Sequence, residues 1–298
     1  MIHLFKSFPR FIRYLCLFIF FIFKSFASDA TVDEILTWIS NTKQKILEVE
    51  ATNQLIEEDL CFLTFWNFDK TILNGDSTEG SVDLYGKTIF KGLAQVSIES
   101  GFSKQYHSFA KFWKDYQSME QVNPSKAYAY AAQIFAGAEE QKLLALATQY
   151  FSTTLKPYLF QASIDLIHGL HHQKISTQII TASPRIFVQG AASLLNIPLE
   201  DFYGMTTEVE NGKLTDKIIF PLTTAEGKIS KIKQIIQKKM GQYKKVYVLA
   251  GIGNYNLNDM PFLQWVVSQQ LPAGEPLTVI DYHPPPVRQK NIVLLRLL

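Results

Sequence analysis

The sequence predicts an α/β fold: a doubly wound, mainly parallel sheet with an inserted helical cap. Three observations carry the prediction. β-rich runs stand at "LCFLTFW" (60–66), "STQII" (176–180) and "KVYVLAGI" (245–252), far apart and with helical patterns between them. That is the layout of parallel strands joined by helical crossovers. Each run gives way to polar residues, "NFDKT", "TASP" and "GNYNLND", and polar strand ends in open α/β sheets gather at the carboxyl edge, the usual ligand site. Between the first two runs, residues 81–159 hold no convincing strand, only helical patterns.

The elements follow in chain order. Residues 1–27 carry Lys6, Arg10 and Arg13, then the unbroken apolar run "YLCLFIFFIF" (14–23), then Ser25 and Ala27 as the small residues of a cleavage site. This reads as a signal peptide cut after Ala27, because the run is about half the length of a spanning helix. The expectation is a secreted or periplasmic protein with no stable membrane span once the leader is removed. Residues 32–57 have helical spacing through Ile35, Leu36, Ile39, Ile46 and Leu47, with Asp33 and Glu34 suited to a helix start. The core is expected over 28–80 and 160–298. The cap, 81–159, is read as helices at "SVDLYGKTIFKGLAQVSIES", "SKQYHSFAKFWKDYQSM", "PSKAYAYAAQIFAG" and "AEEQKLLALATQYFSTTL". Pro124 fits a first helical turn, and Gly101 and Gly137 fit breaks. "TTEVENGKLTDKIIF" (206–220) reads as a β-hairpin turning on Asn211-Gly212.

Composition narrows the function classes. The chain has 298 residues, 47% hydrophobic and 19% charged, an ordinary globular balance. Four of the 29 basic residues and none of the 27 acidic ones lie in residues 1–27, so the remainder has 25 basic against 27 acidic residues. A mildly acidic chain without a basic run offers no electrostatic footprint for nucleic acid. Beyond the leader only Cys61 remains, inside an apolar strand, which reads as a small buried residue. "GIGNYN" (251–256) imitates a dinucleotide fingerprint but lacks its third glycine. His168, His171 and His172 have helical spacing without an acid or cysteine to complete a zinc site.

Four motifs, in order, resemble those of haloacid dehalogenase (HAD) superfamily phosphatases, most nearly the phosphoserine and phosphorylcholine phosphatase branch. "NFDKT" stands where that family has Asp-x-Asp-x-Thr. The resemblance gives Asn67 the nucleophile and metal-ligand position and Asp69 the acid/base position, with Asp69 also at the metal and Thr71 beside the phosphate. "IITASP" is similar to the second motif and puts Thr181, with Ala182, on the phosphoryl group. Lys228 in "EGKISKIKQII" is similar to the third-motif lysine that balances phosphoryl charge. "GNYNLND" is similar to the fourth motif and puts the metal-binding acids at Asn254 and Asp259. The resemblance spans roughly residues 58–270 and implies a Mg2+-dependent phosphomonoesterase.

The chemistry explains these residue types. Attack on a phosphate monoester needs a nucleophile, neutralisation of the equatorial oxygens and a proton for the leaving group. Asn67 and Asn254 depart from the pattern at both ends of the expected metal site. A carboxamide keeps the shape of a carboxylate but has no charge and is a poor nucleophile, and magnesium is usually held through one or two carboxylates. The expectation is a pseudoenzyme candidate whose phosphoryl or anion site is retained while hydrolysis is impaired or lost, with Mg2+ required if it is active and no cofactor if it is not. Two alternatives stay open: an active phosphomonoesterase on a small metabolite such as phosphorylcholine or phosphoserine, and a non-catalytic interaction protein. The aromatics Tyr106, Phe109, Phe112, Trp113, Tyr116, Tyr128 and Tyr130 are read first as the cap's own core, and second as a cage for a quaternary ammonium.

Overall fold

The computed structural model describes residues 29–281 and 292–295, with side chains from 30 to 279. The expected leader, residues 1–27, lies outside the described residues. No described helix is long and apolar enough to cross a membrane.

Seven strands form one parallel sheet. They are β1 (Asp29–Ala30), β2 (Leu60–Trp66), β5 (Ser176–Pro184), β6 (Phe202–Met205), β9 (Lys245–Gly253), β10 (Leu277–Asp281) and β11 (Ile292–Leu295), in the spatial order β1-β11-β10-β9-β2-β5-β6. The hairpins β3–β4 (Gly80–Val82, Thr88–Lys91) and β7–β8 (Thr207–Glu210, Lys213–Ile218) stand apart from it. The "LCFLTFW" run is β2 itself, with all seven residues buried between β9 and β5.

Alternation along β2 serves both faces of the sheet. Cys61, Leu63 and Phe65 pack with Ile232 and Ile235 of α7 (Glu226–Met240) and with Phe262, Leu263 and Val266 of α8 (Met260–Val267). Leu60, Phe62 and Trp66 turn to the opposite layer, with Ile35, Ile39 and Ile46 of α1 (Val32–Thr52) and Leu166 and Leu170 of α6 (Gln161–His172). Each such side chain stabilises the fold by about 1.5–3 kcal/mol through burial, so β2 is fixed from both sides. The last turn of β2 therefore has little freedom to move.

Four helices follow β2 and the β3–β4 hairpin: α2 (Leu93–Glu99), α3 (Phe109–Val122), α4 (Pro124–Gln133) and α5 (Glu140–Tyr150). Pro124 opens α4 behind Asn123, whose side chain accepts the Lys126 N–H. The aromatics stack on one another: Phe109 on Trp113, Trp113 on Tyr116, and Phe112 against Tyr106 and Tyr130. They are the core of this helical layer.

The helical reading of "SVDLYGKTIFKG" is corrected. It forms the β3–β4 hairpin, and a helix begins only at Leu93. Asp83 Oδ1 accepts the N–H groups of Tyr85 and Lys87, and Gly86 takes φ +78°, so a side-chain-capped turn wins over the helix. The hairpin at Asn211-Gly212 forms as expected, both residues having the positive φ a tight hairpin turn needs.

Candidate functional site

The carboxyl ends of β2, β5 and β9 meet α3 and α4 across a cleft of about 190 Å3. Asn67 continues β2 by one bond, its N–H donating to Ile252 O at 2.8 Å. The chain then turns back on itself. Phe68 is buried in the core against Phe151, and its carbonyl accepts the N–H groups of Thr71, Ile72 and Leu73. Lys70 takes φ +58° to make that turn and lines the cleft. Asn67, Asp69 and Thr71, alternate residues of "NFDKT", all end up buried.

Lys228 arrives from the first turn of α7, wholly buried. Gly227 makes this possible, because a Cβ there would lie 1.9 Å from Leu222 O. The Lys228 Nζ donates to Asp259 Oδ1 at 2.6 Å and to Asn67 Oδ1 at 3.0 Å. Asp259, 1% exposed, stands just ahead of α8 and is held by the asparagine loop. Asn256 Oδ1 accepts the N–H groups of Asn258 and Asp259, and Asp259 Oδ2 accepts Asn254 N–H at 2.9 Å.

Asn67 and Asn254 face one oxygen. Asn67 Nδ2 and Asn254 Nδ2 each donate to the Asp69 carbonyl at 2.8 Å. Thr71 Oγ1 donates to Asn254 Oδ1 at 3.2 Å and lies 3.5 Å from Asn67 Nδ2. These partners fix both amide orientations: Lys228 is donor-only, so it takes Asn67 Oδ1, and a backbone carbonyl is acceptor-only, so it takes both Nδ2 groups.

The Asp69 carboxylate points away from this cluster. Ser183 Oγ donates to its Oδ2 at 2.5 Å, Thr181 Oγ1 to the same oxygen at 3.4 Å, and Ser77 N–H to its Oδ1 at 2.6 Å. Burial pushes its pKa up, against the pull of Ser183, Ser77 and the Lys228 charge. Ala182 lines the cleft beside Thr181. Every residue expected at the site thus lies in one place, although Thr181 Oγ1 and two of the three Lys228 N–H groups donate to protein partners.

Several further residues line the cleft, of which the sequence named only the aromatics Tyr116 and Tyr128. The loop after Asp69 brings in Asp76, Thr78 and Glu79, α3 brings Tyr116 and Glu120, and α4 brings Tyr128. Tyr116 Oη donates to Glu79 Oε1 at 2.8 Å. Burial, then the charges of Asp69 and Glu79, pushes the Asp76 carboxyl well above the carboxylate range. Burial also raises Glu79, and Glu120 adds to that while Tyr116 opposes it. The Thr78 hydroxyl is buried and has no protein partner among the described residues. Ser183 had a readable signal, since it lies two residues beyond Thr181 on the same strand. Asp76 ends the stretch "NFDKTILNGD" but reaches the cleft only through the fold-back of residues 68–76.

The comparisons bear on lineage. The family model for haloacid dehalogenase-like hydrolase matches residues 64–264. The chain belongs to the haloacid dehalogenase-like hydrolase family. No curated protein matches it. It is similar in structure to a protein of unknown function from Bordetella pertussis Tohama I (TM-score 0.58, 14% identity, 80% of this chain and 100% of that one). It is also similar to a functionally unknown protein from Anaerococcus prevotii DSM 20548 (TM-score 0.50, 13% identity, 81% of this chain and 84% of that one). A phosphoserine phosphohydrolase-like protein from Francisella tularensis subsp. tularensis SCHU S4 is more distant, with TM-score 0.43 and 13% identity over 74% of this chain and 87% of that one. Likeness at these identities concerns the fold.

Phosphatases of this family typically use Mg2+, an ion usually held through one or two carboxylates. The donor set here does not fit that ion. The Asn67 oxygen is engaged by Lys228, the Asp69 carbonyl faces two N–H donors, and Asp259 is paired with an ammonium. Among the described residues, no three His, Cys, Asp or Glu side chains are grouped as metal ligands.

Proposed function

We propose that this chain is an exported haloacid dehalogenase-like protein that binds a small phosphorylated ligand with a cationic end and does not hydrolyse it. One observation carries the reading: the Asn67 carboxamide is tied at both ends, its oxygen to Lys228 and its nitrogen to the Asp69 carbonyl. An aspartyl-phosphate route needs an anionic oxygen to attack phosphorus, and position 67 supplies a neutral carboxamide whose oxygen already accepts from the Lys228 ammonium. The cleft itself is kept, with Thr181, Ala182 and Ser183 of β5 on one side and Asp76, Glu79 and Glu120, with Lys70 beside them, on the other. That polarity suits a phosphoryl group at one end and an amine or quaternary ammonium at the other, with Tyr116 and Tyr128 alongside. Asp69, pushed towards its protonated form, opposes an incoming phosphoryl group less than an ordinary carboxylate would.

Calorimetric titration of the purified mature chain with phosphorylcholine, phosphoserine, choline and inorganic phosphate tests this. The phosphorylated amines should bind more tightly than either fragment, and phosphate release should stay at the buffer rate. Turnover that collapses in Asp69→Ala would overturn the reading in favour of an active phosphomonoesterase, which the retained Asp69 favours. No heat with any of the four would overturn the ligand class.

A further inference from the structure

We infer that the carboxamides of Asn67 and Asn254 take the place of a divalent cation, making this a site that is complete without metal. The argument is first one of charge. The set Asn67, Asn254, Lys228 and Asp259, of which all but the half-buried Asn254 are buried, contains one ammonium and one carboxylate, 2.6 Å apart and both essentially inaccessible. Its formal charge is zero. Carboxylates at 67 and 254 would make it −2, the charge that one divalent cation neutralises. The two asparagines therefore remove the same quantity of charge that the ion would have brought. A divalent cation added to the present set would be an uncompensated buried charge, which is costly.

The second argument is geometric. An ion bridging positions 67 and 254 would draw the Asp69 carbonyl and both side chains towards itself through oxygen. Here the same three groups are drawn together by hydrogen. Two N–H donors converge on the Asp69 carbonyl at 2.8 Å each, and Thr71 closes a ring through Asn254 Oδ1 and Asn67 Nδ2. Turning either amide over would set its oxygen against that carbonyl. For Asn67 it would also set NH2 against the Lys228 ammonium. The ring joins the end of β2 to the end of β9, so it ties the two central strands where a cation would.

The pairing matters because neither change suffices alone. Asn67 with an acid at 254, or the reverse, leaves one unbalanced negative charge and one N–H donor on the Asp69 carbonyl. The two changes thus depend on each other. This inference is independent of which ligand the cleft takes.

Titration of the wild-type chain with MgCl2 alone, by calorimetry and by thermal melting in MgCl2 against EDTA, is the direct test. No binding heat and the same Tm in both buffers are expected. The variant Asn67→Asp/Asn254→Asp should melt lower in EDTA and recover by about 5 °C or more in excess MgCl2. Each single variant should melt lower with a smaller recovery. Wild-type Mg2+ binding with a Tm that falls in EDTA would overturn the inference, whether or not the variants fold. So would a double variant that folds and ignores magnesium.

Discussion

Lys228→Met separates two accounts of the buried lysine. If Lys228 is kept free for a ligand, its removal should relieve the empty protein or leave it unchanged, as binding residues often do. If it closes the site, its removal should be costly, and the structure gives the size. Lys228 is wholly buried, 2.6 Å from Asp259 Oδ1, 3.0 Å from Asn67 Oδ1 and 5.2 Å from the Phe262 ring centroid. Methionine refills most of the aliphatic stem, so the cavity contribution is small. The stranded Asp259 charge costs about 3–5 kcal/mol, softened by the Asn254 N–H that still reaches its Oδ2. The Asn67 oxygen, left without a donor, adds about 1 kcal/mol or more. The loss should be about 4–6 kcal/mol, a large part of the roughly 5–15 kcal/mol that holds a domain folded. Urea unfolding followed by tryptophan fluorescence measures it. Lys228→Met/Asp259→Leu, which removes both charges, should be more stable than Lys228→Met alone, with a coupling of about 2 kcal/mol or more. A Lys228→Met loss under about 1 kcal/mol would refute the closed pair.

Other outcomes follow from the same geometry. Asp69, Asp76 and Glu79 have raised folded pKa values, so their contribution to stability is fully present below the ordinary carboxylate range and is lost as pH rises through the raised values. Asp76→Asn, which keeps the Oδ1 acceptor for Thr78 and Glu79 N–H, should flatten that loss, and wild-type and variant urea midpoints compared across pH 4–8 read it. Gly227→Ala, whose Cβ would meet Leu222 O at 1.9 Å, should cost about 1–3 kcal/mol and move Lys228, seen as a lower urea midpoint. Asn67→Asp/Asn254→Asp should gain magnesium-dependent hydrolysis of p-nitrophenyl phosphate, measured by nitrophenolate release and absent in EDTA.

The sheet was legible because its strands obey burial. β2 is apolar at nearly every position and is buried throughout, so its bounds could be read from hydrophobicity alone. β5 runs four residues past the expected "STQII", since Pro184 still pairs with Met205 across an irregularity that hydrophobicity does not mark. The β3–β4 hairpin failed for the opposite reason. Val82, Leu84, Tyr85 and Ile89 are exposed, Leu84 and Tyr85 almost fully, and periodicity analysis assumes that apolar side chains are hidden. The site divides the same way. Asn67, Thr181 and Asn254 sit at strand ends, where a parallel sheet must bring them together. Asp76, Thr78 and Glu79 depend on a fold-back through the left-handed Lys70 and the open backbone of Gly75 and Gly80, which no periodicity encodes.

The charge of the cleft follows from that division. On the core side, the strand-end positions are balanced to zero by Lys228 and Asp259. On the side of the fold-back loop and α3, Asp76, Glu79 and Glu120 gather with Lys70 the nearby cation. The side-chain amides of Asn67 and Asn254 have partners of the right polarity, while the raised carboxyls of Asp76 and Glu79 and the unpartnered Thr78 hydroxyl are on the other wall. Burial penalises unsatisfied groups wherever they occur. Within the cleft, the unpartnered Thr78 hydroxyl and the raised carboxyls of Asp76 and Glu79 therefore mark the wall of the fold-back loop as the part that a ligand would complete.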